Sequence, residues 1–269
     1  MLVSAVVKSV NQAKKLENLV SSFIVPLDDL SVNYEKTLSL SDAKEVNNIK
    51  KSFIVLNKNI HNNELNKLEE TLKEIEKMDF LGIIFYDISL INLKQKLNLK
   101  TPLVWAQEHL TTNYGTANYW YEHGSEYAYL SSELTKKELD EIASKTKAKT
   151  LVNVFGYLPM FTSRRHLVNN YMENFNLEDS HQKHLFKEDK NYIIQDKNYG
   201  TTVFSDYILN ALDEDFSKFD YIVFNSSYIS DSDFYEVLLN YKENKKEYKF
   251  PFNHGFLYQE TIYRVKKDA

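Results

Sequence analysis

The stretch EYAYLSSELTKKELDEIASKTKAKTLVNVFGYLPMFTSRRHLVNNY, from Glu126 to Tyr171, decides the fold that the sequence predicts. It begins with a short apolar segment, Tyr127 to Leu130, and continues through a helical window to a second β-rich segment, Thr150 to Phe155. A strand, a helix and a strand in this order form the repeating unit of parallel α/β folds. Polar and charged residues follow both strands, and active sites of α/β folds lie at such strand ends.

The helix within this stretch has a well-defined start. Thr135 and Glu138 form a Thr-x-x-Glu capping box, in which the hydroxyl and the carboxylate can each satisfy an unpaired backbone N–H group. Leu139, Ile142 and Ala143 then recur at helical spacing. These residues predict an amphipathic helix that begins after Thr135.

The same alternation of apolar strands and amphipathic helices extends along the chain. Strands are predicted at Leu2–Val7, Ser22–Pro26, Phe53–Leu56, Leu81–Tyr86, Pro102–Trp105, Tyr127–Leu130, Leu151–Phe155 and Tyr221–Phe224. Helices are predicted to begin near Asn11, Ser39, Asn62, Ser89, Asn113, Thr135 and Ser230. This order predicts an α/β fold, a TIM-like (β/α)8 barrel, and such barrels commonly run to about 250 residues as one domain.

The regular alternation stops in the segment 156–219. We predict that Gly156-Tyr157-Leu158-Pro159 forms a turn at the exit of the seventh strand. After it come a helix-like piece from His166 to Phe175 and a hairpin with Asn198-Tyr199-Gly200 at its tip. Within a single domain of residues 1–269, this segment therefore carries an inserted helix and hairpin, and long insertions in compact domains are often functional.

Composition narrows the class of protein. The formal net charge of −5 argues against a surface that attracts nucleic acid everywhere, although a locally basic barrel mouth is compatible with it. The chain has no cysteine, which excludes disulfides and cysteine ligands for zinc or an iron–sulfur cluster. The apolar run at the N-terminus, about five residues long, is too short for a signal-peptide core or a membrane span. We therefore expect a cytoplasmic protein with no membrane partner.

Closure of the eight strands would gather the polar residues at their C-terminal ends at one barrel mouth. These residues are Asp28, Asp29, Asn57, Asp87, Glu108, His109, Ser131, Glu133, Ser163 to His166, and Asn225. Arg164 and Arg165 stand out because a guanidinium matches a carboxylate or a phosphate through two parallel hydrogen bonds. We predict that they bind an anionic small-molecule substrate or an RNA backbone. Further substrate-binding candidates are Ser163, Asn118 and Glu108.

The catalytic candidates are Glu133, His109 and His166. Glu133 would either pair with an arginine or act as a general acid or base. His109 and His166 are also candidate ligands of a divalent metal, together with a carboxylate, although the sequence leaves the cofactor unknown. Ser163 lacks the Gly-x-Ser-x-Gly elbow of serine hydrolases, and the six glycines form no Walker or dinucleotide motif.

Several spaced motifs resemble the collagenase-like peptidase family U32. The signature region is matched by LSSEL at 130–134 and by VFGYLPMFTSRRH at 154–166. Downstream, YIIQD to YGTTVF at 192–204 and GFLY to TIYRVK at 255–266 agree with the family in order. The resemblance covers roughly residues 100–266 and follows the N-terminal part only in pattern.

The resemblance implies a barrel-like fold and, from the family name, a collagen-degrading activity of bacterial type. Its better understood relatives serve in oxygen-independent or prephenate-linked hydroxylation, including that of wobble uridine in transfer RNA, often as pairs of homologous subunits. Several relatives carry cysteines for an iron–sulfur cluster where this chain has Pro159 and His166. Either this chain binds substrate while a longer homologous subunit holds the cofactor, or the redox role has been lost.

Three functions therefore stay open. The leading one is a subunit for transfer RNA modification that contributes to 5-hydroxyuridine formation. The second is a metal-assisted, collagenase-like peptidase, a hydrolase that would use His109 or His166 with Glu133. The third is a non-catalytic subunit whose aromatic-rich surface docks a longer homologue.

Overall fold

The computed structural model describes residues 1–107, 110–177, 184–197 and 199–259. Its strands are β1 (Leu2–Val6), β2 (Ser22–Pro26), β3 (Ser52–Leu56), β4 (Gly82–Phe85), β5 (Leu103–Trp105), β6 (Tyr127–Tyr129), β7 (Lys149–Ser163), β8 (His184–Lys187), β9 (Lys190–Lys197), β10 (Gly200–Asn210) and β11 (Tyr221–Asn225). Strands β1 to β7 pair in parallel in sequence order, and β11 closes the ring by pairing with both β7 and β1. The predicted TIM-like barrel and its eight strands are confirmed.

Helices connect the strands around the outside of the ring. They are α1 (Val10–Leu16), α2 (Leu40–Ile49), α3 (Leu65–Glu76), α4 (Ser89–Leu97), α5 (Tyr114–Glu122), α6 (Lys136–Lys145), α7 (Leu167–Asn174) and α8 (Asp231–Lys242). Side chains that accept an N–H of the first turn are those of Ser9, Ser39, Asn113, Thr135 and Ser230. The predicted capping box of Thr135 and Glu138 is confirmed, because both of its hydrogen bonds are present. No described helix has the length and hydrophobicity needed to cross a membrane.

The apolar residues form two buried layers, because successive side chains on a strand point to opposite faces. One layer fills the barrel interior, where Phe53 makes edge-to-face contacts with Tyr127 and Tyr221 at centroid distances of 5.6 and 5.2 Å. The other layer lies between the strands and the helices. Strands buried on both faces explain why the sequence shows near-continuous apolar runs instead of polar alternation.

The predicted turn at Gly156 is wrong, because β7 continues through Gly156-Tyr157-Leu158-Pro159 to Ser163. Strand β10 pairs antiparallel with this part of β7, β9 pairs with β10, and β8 pairs with β9. We call residues 156–163 together with β8, β9 and β10 the β extension. The helix after β7 is confirmed as α7. The hairpin is confirmed as β9 and β10, although Asn198 at its tip lies outside the described residues.

Candidate functional site at the barrel mouth

Three adjoining cavities lie at the C-terminal ends of the barrel strands, beneath the β extension. We call them together the barrel mouth. The outer cavity has a volume of about 820 Å³ and opens between the loop after β2 and the β9–β10 hairpin. The inner cavity reaches Ile84 of β4 and Asn225 of β11. Asn33, in the loop after β2, lines all three cavities.

Strand alternation explains which side chains enter the mouth. Residues two positions apart on a strand point to the same side, so each residue two positions beyond an interior core residue also faces inward. Mouth-lining residues that follow this rule are Asn57 after Val55, Tyr86 after Ile84, Ala106 after Val104, Tyr129 after Tyr127, Asn153 after Leu151 and Asn225 after Val223. Of these, Asn57 and Asn225 were predicted from the sequence as mouth residues. The others could have been found by extending the interior pattern beyond each strand.

Two carboxamides at the mouth have both of their polar atoms hydrogen-bonded. Asn153 Oδ1 accepts a 2.5 Å hydrogen bond from the Tyr129 hydroxyl, and its Nδ2 donates to Ser132 Oγ at 2.8 Å. Asn57 Oδ1 accepts from the backbone N–H of Val32 at 2.8 Å, and its Nδ2 donates to the Val32 carbonyl at 3.2 Å. These two side chains therefore stabilise the strand ends and the loop that surround the mouth.

Two other carboxamides have only their oxygen atoms engaged. Asn33 Oδ1 accepts from the hydroxyls of Thr162 and Thr202 at 2.6 and 3.2 Å, which ties the loop after β2 to the β extension. Asn225 Oδ1 accepts from the backbone N–H of Ser227 at 3.0 Å. Within the described parts of the chain, the Nδ2 groups of Asn33 and Asn225 make no hydrogen bond to protein. Both residues line the inner cavity.

Arg164 is a cation at the mouth whose guanidinium is available to a ligand. Its guanidinium lies 5.2 Å from the centroid of the Tyr199 ring, a cation–π contact, and it lines two of the cavities. Among described residues, no carboxylate lies within 4.0 Å of this guanidinium. Burial raises the pKa of Tyr199, so its ring is a neutral phenol at physiological pH.

Other lysines at the outer cavity already have partners. Lys58 is paired with Glu64, and this hydrogen bond holds the pKa of the Glu64 carboxyl below its ordinary value. Lys67 Nζ lies 3.0 Å from Asp29 Oδ2. Lys197, which also lines the outer cavity, donates to the backbone carbonyl of Glu35. Arg164 is therefore the lining cation without a hydrogen bond or an ion pair among the described residues, and a bound anion would meet it first.

Arg165 and Ser163 lie apart from Arg164, although the sequence analysis grouped the three. Neither Arg165 nor Ser163 lines any of the three cavities, and the Arg165 side chain is exposed. Ser163 Oγ accepts from the backbone N–H of Arg165 at 3.1 Å, which shapes the chain between β7 and α7. The structure therefore brings one of the two predicted guanidinium groups to the mouth.

His166 lies at the start of α7 and does not line the mouth. Its Nδ1 is 2.6 Å from Oδ1 of Asp196, whose side chain is only 5% exposed. Asp196 Oδ2 also accepts from the backbone N–H groups of Val168 and Asn169 at 3.1 and 3.2 Å. A carboxylate in this position satisfies the unpaired donors at a helix start and complements the helix dipole. These contacts assign His166 and Asp196 to anchoring α7 on the β extension.

We expect Asp196→Ala to loosen α7 while the barrel stays intact. Loss of this cap should cost about 1–2 kcal/mol of local stability. Amide hydrogen exchange should then accelerate in residues 167–174 and stay unchanged in β1 to β4. Glu173→Ala, on the exposed side of α7, serves as the matched control and should leave exchange unchanged. Equal protection of α7 in both variants would contradict the assigned role.

The remaining predicted site residues lie away from the mouth or outside the residues that the structure describes. Glu133 is exposed and lines none of the cavities. Asn118, which the sequence predicts to bind substrate, also lines none of the three cavities. Its Oδ1 accepts from the Lys147 backbone N–H at 2.7 Å, which joins α5 to the segment that enters β7. Glu108 and His109 lie outside the described residues.

The donor sets for a metal or a cluster are also located away from the mouth. Within the described chain, the residues grouped closely enough to hold a metal are Asp213, Glu214 and His254, and none of them lines the mouth. His166 belongs to no such group there. The positions where the family resemblance places cysteines carry Pro159 and His166, so this chain does not fit a cysteine-held iron–sulfur cluster.

Sequence reasoning missed Asn33, Tyr199 and Lys58 as mouth residues. Asn33 has a positive φ of 68° in the loop after β2, where no periodic pattern exists to place it. Tyr199 reaches the mouth only because the β9–β10 hairpin folds back over the barrel. No local sequence signal indicates that packing.

Comparison with known proteins places this architecture in a family. The profile described as "Peptidase family U32" matches residues 33–218. The solved structure of the U32 peptidase Mk0906 superposes with a TM-score of 0.57 at 10% identity, covering 84% of this chain and 93% of that one. At this identity the superposition supports the fold alone.

Two curated bacterial proteins are similar in sequence over part of their length. "tRNA hydroxylation protein P2" of Bacillus subtilis (strain 168) is 28% identical over 123 residues, which are 46% of this chain and 40% of that protein. "tRNA hydroxylation protein P" of Escherichia coli (strain K12) is 28% identical over 124 residues, which are 46% of this chain and 27% of that protein. The matched segments therefore span less than half of either relative. From the profile match across most of its length, this chain belongs to peptidase family U32.

Proposed function

We propose that this protein takes part in transfer RNA modification, contributing to the prephenate-linked 5-hydroxylation of the wobble uridine. The observation that carries this proposal is the similarity to two proteins named for transfer RNA hydroxylation. The two relatives come from different bacteria, and both carry the same kind of name. A cytoplasmic location follows from this role, because transfer RNA is modified there.

The barrel mouth supports the proposal chemically. Arg164, with no carboxylate partner in the described chain, offers a planar fork for a phosphate of RNA or for the carboxylate of a small-molecule co-substrate. Tyr199, beneath this guanidinium, holds it at the entrance of the cavities through the cation–π contact. The Arg164 guanidinium suits an RNA contact even though the whole chain carries a net charge of −5.

We propose that the chain acts within a complex. Hydroxylation is a redox reaction, and a chain without cysteine cannot supply the thiolates of an iron–sulfur cluster. A longer homologous subunit would hold the redox cofactor, while this chain binds the RNA or the anionic substrate. The peptidase alternative stays a prediction. It needs His109 or His166 as a metal ligand, and His166 is engaged by Asp196.

Analysis of transfer RNA nucleosides tests the proposal. In a strain that lacks the gene, mass spectrometry should show 5-hydroxyuridine falling at least tenfold. Wild-type protein and Arg165→Ala should restore it, because Arg165 lies outside the cavities. Arg164→Ala should restore about one tenth or less, since a lost charge-assisted hydrogen bond is worth about 1.5–3 kcal/mol. Unchanged 5-hydroxyuridine in the deletion strain would refute the proposed function.

A further inference from the structure

The inner cavity of the barrel mouth combines flat apolar and aromatic walls with amide groups. Its walls are formed by Ile84, Leu130, Tyr129, Tyr157, Leu158 and Pro159. Burial raises the pKa of Tyr157, so its ring stays neutral. Aromatic and apolar walls of this kind suit a planar heterocycle, which stacks on them without needing a charge partner.

Two amide donors in this cavity have no hydrogen-bond partner among the described residues. Asn33 and Asn225 each use Oδ1 for a hydrogen bond within the protein, which fixes the orientation of the amide. The NH₂ group of each is then available to donate to a ligand. Asn57 and Asn153, which line the same cavity, have both polar atoms engaged. A ligand in the inner cavity can therefore place acceptors against two separate donors.

The position of Asn225 is built into the barrel rim. The pairing of β11 with β7 shifts register between Val223 and Phe224, immediately before Asn225. Gly156 of β7, with φ of 122°, packs against the Asn225 backbone so closely that an added Cβ would lie 2.5 Å from its carbonyl oxygen. The extra residue of this register shift is Val154 on β7, so β11 runs into the rim without interruption and Asn225 stays on the inward side set by Val223.

We infer that the inner cavity selects a uracil base, with the NH₂ groups of Asn33 and Asn225 donating to its two ring carbonyls. Uracil offers two carbonyl acceptors, whereas cytosine has an amino donor in place of one of them, and adenine has an amino donor and no carbonyl. A base reaches such a pocket by leaving the stack of a single-stranded segment. Arg164, at the entrance, then binds the neighbouring phosphate. This inference rests on the proposed role in RNA modification and assigns its base specificity to two residues.

Aspartate substitutions isolate the donor role of each asparagine. In Asn33→Asp and Asn225→Asp, the carboxylate keeps the oxygen that accepts from Thr162, Thr202 or Ser227 and converts only the free NH₂ group to an acceptor. The alanine variants of the same residues remove the donor without adding charge. Asn18→Asp, an exposed asparagine after α1, adds the same charge elsewhere and is the matched control.

The test measures binding of three fluorescein-labelled RNA heptamers, AAAUAAA, AAACAAA and AAAAAAA, by fluorescence anisotropy. Wild type and Asn18→Asp should bind the uridine heptamer about fivefold to tenfold more tightly than the cytidine heptamer. All four substitutions at Asn33 and Asn225 should lose this preference. Because the readout is a ratio between heptamers, a general loss of affinity from the added charge cancels. Arg164→Ala should weaken binding to all three heptamers equally.

The outcomes separate this inference from the proposed function. RNA binding without a uridine preference, or a preference that survives all four substitutions, would overturn the inference and leave the role in RNA modification standing. A wild-type protein that binds none of the heptamers and whose deletion leaves 5-hydroxyuridine unchanged would overturn both. Loss of the preference in folded variants, checked by circular dichroism, supports the inference.

Discussion

Gly156→Ala is expected to destabilise the protein by about 4 kcal/mol and to disrupt the barrel mouth. Gly156 has φ of 122°, a conformation that a residue with a Cβ rarely adopts. A Cβ there would lie 2.5 Å from the carbonyl oxygen of Asn225 and 2.8 Å from its Cβ. The substitution therefore combines backbone strain with a collision against β11, the strand that closes the barrel. Urea-induced unfolding followed by circular dichroism would measure the loss.

Gly124→Ala separates the two causes. Gly124 also has a positive φ, of 97°, but an added Cβ would meet no heavy atom within 4 Å. We expect this control to lose only the strain energy, about 1–2 kcal/mol. The difference between the two variants then measures the collision with Asn225. Equal losses would show that β7 and β11 can separate at the rim without cost, and the close packing described here would be refuted.

Phe53→Ala is expected to cost about 3–5 kcal/mol, because it empties the centre of the barrel interior. Phe53 is fully buried on β3 and packs edge-to-face against Tyr127 of β6 and Tyr221 of β11. The Phe53 side chain therefore connects strands on different sides of the barrel. The cavity left by alanine cannot be refilled without moving several strands, since interior packing is close to crystalline density.

The matched control is Phe186→Ala. Phe186 lies on the outermost strand of the β extension and is 68% exposed. Removing it should change the free energy of unfolding by less than about 0.5 kcal/mol. Urea unfolding midpoints of the two variants and the wild type would provide the comparison. Similar midpoints for Phe53→Ala and wild type would mean that the barrel interior is not the cooperative core of the protein.

Much of the fold could be predicted because its signals are local. Each strand is a run of apolar residues bounded by polar ones, and the start of α6 is fixed by a capping box four residues long. The continuation of β7 into the β extension was not predicted, because Gly156 and Pro159 indicate a turn when the local sequence is considered alone. Its partner β10 lies far along the chain, since Thr201 pairs with Ser163 and Asn210 pairs with Phe155. No short window of sequence contains both strands.

The sequence predicted where on the barrel the candidate site would lie, but it did not predict which individual residues line the cavities. Arg164 was identified because a guanidinium after a strand end suits an anion, and the structure places it at the mouth. Arg165 carries the same chemistry one position later, yet it lies outside the cavities. His166 resembles a catalytic residue in sequence, and its contact with the buried Asp196 shows a role at the helix start. Arg164, Arg165 and His166 differ in role because only the Arg164 side chain faces the cavities.

The sequence by itself determined the order of strands and helices, the barrel that follows from it and the absence of thiol chemistry, because these depend on composition and on patterns within short windows. Tertiary structure alone decided which polar groups meet. Asn33, Tyr199 and Asn225 come from distant parts of the chain and share one mouth only after the barrel closes and the β extension folds over it. Which amide groups remain free for a ligand depends on long-range hydrogen bonds, and these form only in the folded chain.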